Sequence, residues 1–535
     1  MLAVRVLAVS IRPMLLPQSP TKDPAIEALG HFRANYKTTC TASVRLTLFV
    51  VEVTSFLAEE WIAPMLRYLR WIFLALAFGI SVQLARGQSS CPAPVPYALL
   101  PQNNYYGYLR NPVCRSDFWD PVKFIALNAE GEKYLTFGGE IREWYEGFRN
   151  ANYGIGPQDD NGFLLQRITL YSDWHIGDRF RFFGQLTSDI EAGRNGGPQP
   201  YDEDRLWVEQ GFLDIKAIDS HDVKLTLRAG RQEFEFGIGR LVDVREGLNV
   251  RLAFDGINLI LDGHSWHLDG FATRPVINNL NVFDNPPDHR IMFWGVYAVR
   301  PLPATRGGHI DLYYLGIDKK RATFDRGSAQ EVRHTAGTRF WGSRSALDYD
   351  WETMYQWGTF GNADIRAWGI GTDTAYNLHS VFLRPQLSVR ATLTSGDRNP
   401  PSGPLGTLNP LFPTGIYFGE GAVNLNGPSN LMRIGLGIKL HLTDTVLLAA
   451  DYDPFWRTSL QDGVYGLGVN LLRSGAVNQN RYIGSQASTG IYWQADRHLS
   501  ISAAYTHFFV GPFFTQGASP GRNVDNAAIW TTYKF

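Results

Sequence analysis

From Tyr134 onward the sequence alternates apolar and polar residues in runs of a dozen positions or more, and nothing else in the chain constrains its fold so strongly. In KYLTFGGEIREWYEGF, Leu135, Phe137, Ile141 and Tyr145 fall on one face, and Glu140, Arg142 and Glu146 fall on the other. In VFLRPQLSVRATLTSG, Val381, Leu383, Leu387, Val389 and Leu393 oppose Arg384, Gln386, Ser388, Arg390 and Thr392. NLMRIGLGIKLHLTD repeats the pattern, with Ile434, Leu436 and Ile438 against Arg433, Lys439 and His441. Period two is the spacing of a strand whose two faces meet different surroundings. Soluble sandwiches alternate too, but their strands run to about five or six residues and seldom set Arg and Lys against uninterrupted aliphatics. The pattern predicts an all-β fold, a transmembrane antiparallel β-barrel of the bacterial outer-membrane type with aliphatics toward lipid and polar residues toward the lumen. Past residue 85 no apolar run approaches the ~20 residues of a spanning helix, which excludes a helical membrane protein.

Eighteen strands can be placed, with sixteen as the alternative count. They lie near 133–148, 162–176, 179–191, 205–216, 222–235, 253–262, 264–273, 289–300, 308–317, 331–341, 345–358, 363–376, 380–395, 430–443, 445–456, 482–495, 497–510 and 525–535. Tight connections at 177–178, 263, 342–344, 377–379, 444 and 496 alternate with long ones at 149–161, 192–204, 236–252, 274–288, 318–330, 396–429, 457–481 and 511–524. That parity is expected when both termini face the periplasm. Trp144 and Tyr145, Tyr349 and Trp351, Tyr355 and Trp357, and Tyr492 and Trp493 sit where interface girdles would. The chain ends on an amphipathic strand and Phe535, which resembles the signal read by the machinery that inserts outer-membrane barrels.

Upstream, Met65 opens MLRYLR, followed by the apolar run Trp71 to Leu84 and small residues before Gln88. This reads as a secretory signal peptide over 65–87, which makes 1–64 either a misassigned leader before the true start at Met65 or a genuine extension. Cys91 and Cys114 are the only cysteine pair downstream, and export to an oxidising compartment predicts a disulfide stapling a periplasmic segment over 88–132 ahead of the barrel at 133–535. Two thiols without a His or Cys cluster make no metal site, and no cofactor is expected.

Strand parity sends Arg142, Arg167, Arg181, Arg339, Arg384, Arg390, Arg433, Lys224 and Lys439 inward, beside Glu140, Asp173, Gln185, Asp189, Gln210, Asp214 and Glu352. Inward arginines would favour an anionic solute, and the alternative is that Arg and carboxylate pair to stiffen the wall. With 50 Lys+Arg against 51 Asp+Glu there is no bulk positive charge for nucleic acid. The densest feature is LRAGRQEFEFGIGRLVDVREGLNVRLAFDGINLILDG, carrying Arg231, Arg240, Arg245 and Arg251 with Asp243, Glu246 and Asp255. It is both Arg-rich and apolar, as a loop folded into a barrel mouth would be. The run GRQEF…GRLVD…REGLNVR…FDG, with GGEIREWYEGF in the first strand, resembles the alginate export family of outer-membrane porins. The resemblance covers about Tyr134 to Phe535 and implies a monomeric eighteen-stranded barrel. Its arginine-lined constriction would pass an anionic uronate polysaccharide, with Arg142, Arg167, Arg231, Arg240 and Arg251 as the motif-borne residues. The segment from Gln88 to Glu132 is not part of that pattern.

Two functions follow as expectations: passive export of an anionic polysaccharide delivered by periplasmic secretion partners, or a general or nutrient-uptake porin for small solutes. An enzyme is not expected. His264 and His267 flank Ser265 and Trp266 at a turn, with no nucleophile and base constellation around them. Asp202, Glu203 and Asp204 read as solvated loop charge, with calcium binding as the alternative.

Overall fold

Hydrocarbon offers no partner to a backbone N–H or C=O, so a sheet that spans it has to close on itself. A computed structural model describes residues 91–92, 96–303, 307–419, 425–517 and 519–535. The expected leader and signal peptide lie outside the described residues. The first strands are β1 (Lys133–Arg149), β2 (Phe163–Ile176), β3 (Phe180–Ala192), β4 (Asp204–Asp219), β5 (Val223–Gln232) and β6 (Phe254–Gly263). They are followed by β7 (His267–Pro275), β8 (Ile291–Leu302), β9 (Gly308–Phe324), β10 (Gly327–Arg344), β11 (Leu347–Phe360) and β12 (Ala363–Asn377). The last are β13 (Gln386–Thr394), β14 (Leu431–His441), β15 (Val446–Arg457), β16 (Tyr482–Gln494), β17 (Leu499–Val510) and β18 (Val524–Lys534). Each strand pairs antiparallel with the next, and β18 returns to β1 from Glu140↔Lys534 to Arg149↔Asp525, closing an eighteen-stranded barrel.

The alternation sorts the wall as the sequence predicts. Leu170 on β2 and Leu436 on β14 are 57% and 59% exposed on the outer face, while their neighbours Arg167 and Arg433 are buried inside. Both chain ends of the barrel lie at the rim of short turns, such as 177–179, 264–266 and 442–445. The other rim carries the long loops.

Four expectations change. The connection over 318–330 is not a loop: β9 and β10 run on to a turn at Asp325 and Arg326, with Phe324↔Gly327 the last pair. Ala322 and Phe324 stay buried there against Phe360, Leu405 and Tyr465, so packing under the outer loops carries strands through a charged stretch that reads as solvent-facing. β13 begins at Gln386 rather than 380, because Leu383 and Arg384 adopt φ of 63° and 42° in the preceding turn. β5 stops at Gln232, where the chain turns into the lumen, and the edge of β4 that it vacates is taken by the 276–290 loop through Phe283 N to Leu206 O (2.9 Å). Trp144 is not a girdle residue; it is buried on the Arg142 face and stacks on Trp530 at 4.3 Å.

The lumen is partly filled. The 233–253 loop folds inward and pairs with the 395–418 segment through Phe412 N to Leu241 O (2.8 Å) and Asp243 N to Phe412 O (2.9 Å). Together they bury Phe234, Leu241, Val242, Leu408, Leu411 and Phe412 against the inner faces of β6 to β12. Leu436→Arg, at the middle of β14, should cost about 2–4 kcal/mol in reversible unfolding from lipid vesicles. A cost below about 0.5 kcal/mol would show that this face is not in hydrocarbon.

Candidate functional site

Two arginines on neighbouring strands hold the inward loop by its backbone. Arg142 on β1 donates to the carbonyls of Glu246 (2.7 Å) and Leu248 (2.8 Å), and Arg167 on β2 donates to those of Leu248 (2.6 Å) and Asn249 (2.9 Å from Nε). Arg167 also meets Glu246 at 3.0 Å, and Glu140 and Asp189 at 3.5 Å each. From the loop, Arg251 reaches Glu246 (2.5 Å), Glu233 (3.4 Å) and Glu209 (3.7 Å). All three guanidiniums are buried; truncating Arg167 strips Asp189, and truncating Arg251 strips Glu233 and Glu209, of a cationic partner away from water, a cost of about 3–5 kcal/mol, whereas truncating Arg142 leaves two loop carbonyls without their donors.

Arg240 ties the far side of the loop to β11 and β12 through Asp350 (2.7 Å), Glu352 (3.0 Å) and Asp373 (3.1 Å). Gly371 makes this possible: a Cβ there would stand 2.7 Å from Arg240 Nε. Arg245 differs from the others. It is half-buried, has φ 62°, lies 6.0 Å from the Tyr201 ring, and has no carboxylate within ion-pair distance among the described residues. Lys319, on the inward side of β9, has Glu331 as its partner in register.

On the short-turn side lies a cavity of about 680 Å³, lined among others by Arg181, Arg228, Phe236, Tyr297 and Arg339. Three of its arginines are paired: Arg181 with Asp173 (2.7 Å), Arg228 with Asp214 (2.7 Å), and Arg339 with Asp311 (2.7 Å). Residues 97–124 also enter this mouth, against inward-facing side chains. Arg181 Nη2 donates to Gln102 O (2.7 Å), Gln210 Nε2 to Gln102 Oε1 (2.9 Å), and Arg251 Nη2 to Leu99 O (3.2 Å). Lys123 is buried with its Nζ 5.2–5.6 Å from the ring centres of Tyr97, Tyr106, Tyr171 and the terminal Phe535. Gly138 leaves room for it, since a Cβ there would occupy the space of Lys123 Nζ and the Tyr171 hydroxyl. A disulfide joins Cys91 to Cys114 across this segment.

Residues 133–527 match the family model for alginate export. The chain belongs to the alginate export family. No curated protein matches it. Among solved structures, this family member resembles Pseudomonas aeruginosa OccD3 (OpdP) at 10% identity and TM-score 0.51, over 75% of this chain and 91% of that one. It resembles P. aeruginosa OpdK at 8% and 0.51, and OccK8 (OprE) at 10% and 0.50, over 75% of this chain and 98% of each of those. Identities this low show the barrel fold alone. The family and the barrel place the protein in the bacterial outer membrane and point to a transport channel rather than an enzyme.

In this alginate export family member, Arg142, Arg167, Arg181, Arg240, Arg245, Arg251, Arg433, Asp173 and Asp189 lie within the barrel. Arg433 pairs with Asp453 (2.6 Å). Arg390 is on the inward parity of β13, where its register partner is Asp373, and Lys439 on that of β14. Two assignments need correction. Arg231 is not in the lumen: its partners in register, Gly211 and Asp255, share the outer face with Leu213 and Ile257, and it clamps Asp255 (2.7 Å) and the carbonyls of Val208 and Asn285 beneath the 276–290 loop. Arg384 sits exposed in the β12–β13 turn, paired with Asp444 (2.7 Å), because the strand starts after it. Glu209 was not assigned inward because a bulge beside Gln185 and Leu186 breaks simple alternation. Lys123 and Gln102 carry no periodic signal at all.

Burial pulls the Lys123 pKa down from 10.5 to about 7, with Arg497 adding to the pull and Asp117 and Asp120 opposing it. Between those values the unfolded segment binds more protons than the seated one, so seating strengthens as pH rises from 7 toward 10. Hydrogen exchange of amides 97–124, corrected for intrinsic rate, should slow between pH 7 and 9, and Lys123→Met should remove that change. Protection that weakens over this interval would contradict the burial of an uncompensated amine.

Proposed function

We propose that the protein is an outer-membrane channel through which an anionic, uronate-type polysaccharide passes by diffusion from the periplasm. The observation that carries this reading is Arg245, an inward-loop guanidinium beside the Tyr201 ring with no carboxylate within ion-pair distance among the described residues. Every other lumen arginine for which a partner is given is spent on a carboxylate or a backbone carbonyl, so Arg245 is the inward-loop arginine left to attract an anion. The chain acts as a monomer, with Phe535 as the signal for barrel insertion and periplasmic secretion partners delivering the polymer. Export to the cell surface follows from that delivery.

The paired arginines of the short-turn vestibule favour a second reading, a general or nutrient-uptake porin for small solutes. Planar-bilayer recordings under a KCl gradient separate the two. The intact protein should be anion-selective and blocked by polygalacturonate, and Arg245→Glu should move the reversal potential toward or past zero. Arg231→Glu, in the wall, should leave selectivity unchanged while lowering stability. Cation selectivity in the intact protein would overturn the first reading, and liposome swelling by neutral sugars without polyuronate block would establish the second.

A further inference from the structure

Residues 97–124 occupy the mouth through which a polymer arriving from the periplasm would have to enter. Tyr106, Leu109 and Phe124 form the segment's own small apolar core, with Leu109 fully buried. Aromatic contacts join it to the barrel, with Phe124 stacked on Tyr134 at 4.6 Å and the Trp119 ring 4.4 Å from that of Phe535, and the rest of its hold is polar. Three barrel side chains spend donors on its backbone carbonyls: Arg251 on Leu99 O, Arg181 on Gln102 O, and Thr136 on Lys123 O (2.7 Å). At the rim, Trp119 Nε1 donates to the Tyr533 hydroxyl (2.8 Å), and Asp117 meets His498 at 2.7 Å. The segment is continuous with β1 through Asn128–Gly131, a turn in which Gly131 has φ 66°, so it is tethered to the barrel whether seated or not. Arg251 also belongs to the clamp on the inward loop, so segment and constriction share one guanidinium.

We propose that residues 97–124 are a displaceable plug, and that an oxygen-rich saccharide chain releases it by supplying acceptors to Arg181 and Arg251 in place of the carbonyls of Gln102 and Leu99. The selectivity of release follows from what the donors lose. Hydroxyl, ring and carboxylate oxygens replace a carbonyl acceptor, whereas an apolar solute would leave both guanidiniums short of an acceptor. The proposal rests on the channel reading above.

Leu109→Asp buries a carboxylate in the plug's own core and leaves every barrel strand intact. In KCl alone its single-channel conductance should rise several-fold over the parent, with amides 97–124 losing their protection from hydrogen exchange. Lost protection with parental conductance would overturn the plug. In the parent protein, polygalacturonate should strip protection from the same amides; current block by polygalacturonate with protection unchanged would overturn release by saccharide. If polygalacturonate does not act on the current at all, the polysaccharide reading fails while the KCl comparison still decides the plug. Should Leu109→Asp not fold, Gln102→Cys with Gln210→Cys, bridged by a short bis-methanethiosulfonate reagent because side chains that meet end to end at 2.9 Å hold their Cβ atoms too far apart for a direct disulfide, cross-links the seated segment. The cross-linked protein should be insensitive to polygalacturonate until reduced, and unaltered polygalacturonate block in the cross-linked form would overturn the proposal.

Discussion

Closure of the sheet is the constraint on which everything else in this molecule depends. A backbone group without a partner in hydrocarbon costs several kcal/mol, and a barrel is the only all-β answer. Joining β18 to β1 removes the last edge. Closure then divides every strand into a face that meets lipid and a face that does not, and most charged residues of the strands collect on the second, with Arg231 and Asp255 paired on the first beneath the 276–290 loop. A low charged fraction of 19% and a net charge of -1 are compatible with a crowded, highly charged interior only because of this segregation.

The interior answers its own charge by pairing. Arg142, Arg167 and Arg251 fix one side of the inward loop and Arg240 the other, each using several donors on carboxylates or carbonyls. Buried pairs of this kind add little net stability, because desolvation offsets attraction, but breaking one is expensive. Their consequence is positional: a loop rich in glycine and charge is held across the lumen in one arrangement. Pairing also silences most of the positive charge that a count of arginines would assign to a pore. The exception among the described residues is Arg245, which has no carboxylate within ion-pair distance and lies 6.0 Å from the Tyr201 ring.

The barrel was legible because period two is local. Leu436 and Arg433 declare their faces from a few residues of context, and all eighteen strands could be placed near their observed bounds. Features set by distant contacts were not. Arg231 was placed in the constriction by the motif it belongs to and not by parity, and only the return of the 276–290 loop shows what it clamps. Glu209 is hidden by a bulge, and Trp144 reads as an interface residue until Trp530 is brought beside it. The seating of residues 97–124 depends on donors from β1 to β4 and on the inward loop, none of which leaves a trace in that segment's own sequence. Arg245 was singled out with its neighbours, but that no carboxylate among the described residues comes within ion-pair distance of it is a property of the assembled lumen.

The account stands on an inward loop that is fixed rather than mobile, and hydrogen exchange of the bilayer-embedded protein tests this directly. The amides of Leu248, Val250 and Leu252 are bonded to Arg245 O, Tyr201 O and Val244 O, each at 2.9 Å, behind the arginine clamp. They should exchange as slowly as amides in the middle of β2 and β3. Exchange as fast as in the exposed 194–199 stretch would contradict a loop held across the lumen, and with it the constriction that Arg245 is taken to define.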